Sequence, residues 1–242
     1  MTDQSTDLSR HVFEGRLRSL FETFEGRLKN LQGYKEEKLD LIARFPPSLY
    51  ARAFSSSTIQ YGRLFLSLQV EEKIPSLASL LLVPSPGVDS SVLASLHTFS
   101  LYHTALILID PYPLLQPQEE ILSIVEPKTP GAMNLENLPA ALKSQIGPAA
   151  SMWRSLDFQQ ASSTLDDLKD TFELWFASLL AAPKIDDPLD KAARLSKCQL
   201  YLDSLREREE RARPSLEIML NDPDLVDPFL KEFYLPHLAK ER

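Results

Sequence analysis

Ser163–Ala182 reads STLDDLKDTFELWFASLLAA. Leu165, Leu168, Phe172, Trp175 or Phe176, and Leu179 recur at three- and four-residue steps, the spacing of one helix face. Ser163 or Thr164 can cap its start, and Asp166 and Asp167 fall in the first turn, where the helix dipole favours negative charge. Pro183 ends it. A second pattern starts at Leu189 and runs through Ala192, Leu195, Cys198 or Gln199, Leu202 and Leu205 into the mixed-charge run Arg206–Arg213. The two predict a helical hairpin, 163–182 and 189–212, with facing apolar stripes. The expected fold is therefore mainly α, a bundle or array of amphipathic helices.

The N-terminal third extends that expectation. Phe13-Glu-Gly-Arg-Leu-Arg-Ser-Leu20 returns as Phe24-Glu-Gly-Arg-Leu-Lys-Asn-Leu31, an offset of eleven residues, or three helical turns. Phe13, Leu17, Leu20, Phe21, Phe24, Leu28 and Leu31 then form one long stripe on a helix from Ser9 to about Gln32, ended by Gly33. Such a stripe ordinarily faces a core. It can also pair with another helix, and Phe13, Leu17, Phe24 and Leu28 are the expected contacts for a protein partner or for self-association. Gly15 and Gly26 each weaken the helix by about 1 kcal/mol relative to alanine, and beside the stripe they would admit a neighbouring backbone.

The middle of the chain is harder to assign. In Ile59–Val70, Leu64, Leu66, Leu68 and Val70 alternate as in a strand, while Tyr61, Leu64, Phe65 and Leu68 fit a helix. A helix is the expectation. A helix is also expected from Asp89 or Ser90 toward Ile109, although Thr104–Ile109 is β-like in composition. If the chain holds one small β element, Leu64–Val70 and Thr104–Ile109 are the best pair. Pro127–Asn134, PKTPGAMN, is the expected hinge between a helical subdomain over 1–126 and another over 135–242.

Composition limits function more than it reveals it. Of 242 residues, 43% are hydrophobic and 25% charged, as in an ordinary folded chain. A net charge of −8 argues against a general nucleic-acid surface. The single cysteine, Cys198, allows no internal disulfide, and MTDQSTDLSRH lacks the charged-then-apolar order of a secretory signal. With no stretch of about 20 apolar residues to span a bilayer, the cytoplasm is the expected location. Between Arg10 and Leu31 five basic and three acidic residues leave only +2, too little for a typical membrane-surface helix.

The sharpest chemical strings are aspartate-rich. Asp166-Asp167-Leu-Lys-Asp170 and Asp186-Asp187-Pro-Leu-Asp190 match the DDxxD spacing of all-helical isoprenoid enzymes, where carboxylates one turn apart bridge magnesium ions on a diphosphate. Helix-start aspartates explain both strings without a metal. Asn221–Asp227 lacks the glycine and final glutamate of a calcium loop. His97 and His103, six apart, fall on opposite sides of a helix, and no HExxH, CxxC, G-x-S-x-G or P-loop string occurs. The expectation is a non-enzymatic module without cofactor or resident metal: an adaptor, regulator or subunit presenting apolar helix faces to a protein. The alternative is a magnesium-dependent helical enzyme using Asp166, Asp167 and Asp170.

Overall fold

The computed structural model of the chain describes residues 3–68, 76–90, 92–101, 104–113, 151–155, 158–210, 213–234 and 238. Its middle layer is a seven-stranded sheet in simple sequence order. The strands are β1 (Lys35–Glu36), β2 (Leu49–Ser55), β3 (Ile59–Ser67), β4 (Ser76–Pro84), β5 (Val92–Leu101), β6 (Thr104–Pro113) and β7 (Ser151–Ser155). Every neighbouring pair is antiparallel. Helices α1 (Asp3–Lys29) and α2 (Phe158–Ala181) cover one face. Helices α3 (Pro188–Glu210) and α4 (Arg213–Leu220), then a run of short helical turns over 223–234 ending in the π turn Phe229–Tyr234, cover the other.

A bundle of helices is thus the wrong architecture for this chain, and the reason is physical. A strand covered on both faces buries both sets of alternating side chains, so its sequence is a continuous apolar run, which periodicity cannot separate from a buried helix. In β3 and β4, Leu64, Leu66, Ala78, Leu80 and Leu82 point into the first core, whereas Tyr61, Phe65, Leu81 and Val83 point into the second. The small β element expected from 64–70 and 104–109 is instead two strands, β3 and β6, of a much larger sheet. Residues 92–101, expected as helix, form β5, whose Leu101 pairs with Thr104 of β6. The sheet needs one close approach. Gly62 lies opposite Phe54, and a Cβ on Gly62 would overlap the Phe54 ring.

Several helix expectations do match. The N-terminal stripe forms on α1, and Gly33 follows it with φ +71°, the left-handed conformation glycine adopts freely. Both halves of the expected hairpin are helical. Their stripes do not face each other: Leu165, Leu168, Phe172 and Leu179 of α2 enter the first core, while Cys198, Leu202 and Leu205 of α3 enter the second. The sheet stands between them. The expected hinge, 127–134, lies outside the described residues. Residues from both sides of it share each core. No helix among the described residues is long and apolar enough to cross a membrane.

Candidate functional site

The two faces of the sheet differ in chemistry. On the first, α1 and α2 meet through rings: Phe24 stacks on Phe172 with centroids 3.9 Å apart, and Phe13 meets Phe158 at 5.5 Å. Phe13, Leu17, Phe24 and Leu28, the four residues expected at a partner surface, are at most 2% exposed and form this core. Gly15 and Gly26 face open space, with no neighbouring backbone against them. Arg16 pairs with Asp166 at 2.9 Å and Arg27 with Glu173 at 2.6 Å along the solvent side of the helix pair.

On the second face, β3 carries Arg63, which is wholly buried. Its Nε donates to the Tyr234 carbonyl at 2.6 Å and its Nη1 to Ser79 Oγ at 2.9 Å. The guanidinium carbon lies 3.6 Å from the centroid of the Tyr234 ring, a cation–π contact. Two strand positions earlier, Tyr61 donates its hydroxyl to the Phe233 carbonyl. Burial pushes the Tyr61 phenol well above its usual range, so it stays a donor. Phe65 and Phe229, with ring centroids 5.2 Å apart, close the floor beside them. No carboxylate among the described residues pairs with Arg63, and its Nη2 has no partner among them. A buried guanidinium keeps its charge, so this is a desolvated cation held by neutral oxygens.

Strand register carries the polar character of this face further. Ser79 lies opposite His97 of β5. Arg63 lies opposite Leu81, Leu81 opposite Ser95, and Ser95 opposite Asp110 of β6. Directly opposed residues of an antiparallel sheet share a face, so Arg63, Ser79, Ser95, His97 and Asp110 occupy register positions on the second one. The intervening first-face positions of β5 and β6 are Ala94, Leu96, Thr98, Ile107 and Ile109. His97 therefore belongs to a strand position beside a buried serine, not to a helix side.

The aspartate strings come apart. Asp166 is tied to Arg16, and Asp170 is exposed on α2. Asp187 Oδ1 accepts the Leu189 amide at 2.9 Å and starts α3, the plain helix-cap role. Asp222 likewise accepts the Asp224 amide at 3.0 Å. Among the described residues, no three His, Cys, Asp or Glu side chains gather as a metal site. A shallow depression beside α3, lined in part by Gln60, Pro86, Arg194 and Cys198, has no enclosed room for even a water molecule. Burial pushes the Cys198 thiol up to about 12, which leaves it inert as a nucleophile.

Sequence reading missed Arg63 and Ser79 as a pair, because they come together only through strand pairing. One signal was present: a lone arginine inside the apolar run Tyr61-Gly-Arg-Leu-Phe-Leu66, where charge is rare unless it has a use.

No protein-family model matches the chain, and no curated protein matches it either. Among solved structures, it is similar to phytochromobilin synthase from tomato in complex with biliverdin. The likeness covers 93% of this chain and 84% of that one, with a TM-score of 0.66 at 13% sequence identity. The two share a fold. That fold overturns the expectation of a non-enzymatic helical adaptor, regulator or subunit, and with it the all-helical magnesium enzyme: the related architecture is a mixed α/β one, found in a protein with a bilin bound.

Proposed function

We propose that this chain binds and converts a linear tetrapyrrole of the biliverdin type on the second face of its sheet. The observation that carries the reading is the fold shared over 93% of the chain with a structure holding biliverdin. The polar register positions of that face suit the same ligand. A linear tetrapyrrole presents pyrrole N–H donors, lactam carbonyls and two propionates along a flat apolar body. Ser95, His97 and Asp110 hold register positions on that face, on β5 and β6. His97 is the residue type suited to exchanging protons near neutral pH. Either conversion open to such a ligand, reduction or a shift of double bonds, requires a proton delivered to the conjugated system, and Asp110 and His97 are the groups assigned to it. The single cysteine fits a reducing compartment, the cytoplasm or its equivalent.

The test is incubation of the purified chain with biliverdin, alone and with a reduced one-electron donor protein, followed by absorbance and mass spectrometry. A red-shifted or sharpened bilin band on mixing is expected, and then a product either two hydrogens heavier or isomeric with biliverdin. Asp110→Asn should keep the binding and slow the conversion by about 100-fold or more, the scale of a lost general acid. Absence of any spectral change at micromolar protein and ligand would overturn the reading.

A further inference from the structure

The Arg63 cluster has one property that folding alone does not explain. A fully buried cation ordinarily requires a paired anion, because neutral oxygens compensate its lost hydration only in part. Among the described residues Arg63 has two neutral acceptors, one aromatic face and no partner for Nη2. Packing could have been served by methionine or leucine at lower electrostatic cost. The cover over this guanidinium comes from Phe229–Tyr234, which is π-helical, a rare geometry concentrated at functional sites. Its last two carbonyls, Phe233 and Tyr234, are held by side chains of β3. The acceptor now on Arg63 Nε is thus a single carbonyl at the end of a short turn.

We infer that Arg63 is the receptor for a carboxylate of the bound ligand, which displaces the Tyr234 carbonyl from the guanidinium edge and takes up Nη2 as well. The inference rests on the tetrapyrrole reading and names the contact that its propionates make. A guanidinium offers two parallel N–H bonds to a carboxylate, a geometry that a single carbonyl cannot use in full. Entry requires the Phe229–Tyr234 turn to lift from β3, since Arg63 is wholly covered with the turn in place.

Absorbance titration of the full chain with biliverdin and with biliverdin dimethyl ester tests this directly. The free acid should bind about tenfold or more tightly than the ester, the scale of one charge-assisted pair. Arg63→Gln should weaken the acid and leave the ester unchanged, erasing the preference. Equal binding of acid and ester to the unaltered chain overturns the inference while leaving the tetrapyrrole reading intact. So does an Arg63→Gln chain that weakens both equally, which would make Arg63 a latch for the turn and nothing more. Binding of neither compound overturns both. Should Arg63→Gln fail to fold, Arg63→Lys keeps the charge and loses the fork; its acid preference should fall several-fold, and an undiminished one would overturn the assignment.

Discussion

On the first face of the sheet the most buried contact is a pair of stacked rings, Phe24 on Phe172; on the second it is a guanidinium against a ring, Arg63 on Tyr234. Both are sealed from solvent to the same degree. The first gains from apolar burial and has no polar atom to satisfy. The second gives up part of that gain to keep a charge and, with Tyr61 beside it, three hydrogen bonds in the dry interior. The first face buries polar groups too, Arg10, Glu14 and Ser76, but there the cation has its carboxylate. Among the described residues Arg63 on the second face has none, and the proposed ligand is assigned to that side.

The sharpest way to break this comparison is to hollow out the first face. Phe24→Ala should lower unfolding free energy by about 3–5 kcal/mol, as large-to-small core changes do, measured by urea denaturation. A loss under about 1 kcal/mol would mean that the stack matters little. Gly62→Ala comes next, since the new methyl meets the Phe54 ring. The expected cost is about 1–3 kcal/mol, by overpacking. Ser79→Ala probes the second face: it orphans Arg63 Nη1 and should cost about 1–3 kcal/mol. The smallest effect belongs to the helix-pair rim, where breaking Arg27–Glu173 should leave the melting temperature within error and insensitive to salt.

Alkali offers a further handle on the second face. The Cys198 thiol is raised to about 12 from an ordinary 9.0 by burial. Above pH 9 the unfolded chain gives up that proton while the folded chain holds it. Stability from this group is therefore complete below pH 9 and declines as pH rises toward 12. Tyr61, also raised by burial, acts in the same direction at still higher pH. Stability measured from pH 8 to 11 should fall, and Cys198→Ala should flatten the lower part of that fall. At pH 8 the thiol should react with a disulfide reagent only after denaturant is added.

Much of the helical part is legible in the sequence. Phe13 to Leu31, Leu165 to Leu179 and Leu195 to Leu205 each carry a clean stripe, because each helix buries one side and wets the other. The strands escaped detection for the converse reason. Leu64, Phe65 and Leu66 are all buried, two into one core and one into the other, so the alternation that marks a strand is erased. Misreading those runs also misplaced the candidate site. Taken on a helix, His97 has no relation to Ser79, which lies opposite it across the β4–β5 ladder. The aspartate strings drew attention because their spacing is local, yet Asp166 and Asp187 serve an ion pair and a cap. Local spacing shows helix surfaces well and sheet-borne sites poorly.

Hydrogen exchange with and without biliverdin is the measurement that tests the division between the two faces most directly. The account predicts new protection in β5, in β6 and across Phe229–Tyr234, with the amides of α1 and α2 unchanged. Protection confined to α1 and α2, or none anywhere at saturating ligand, would contradict it.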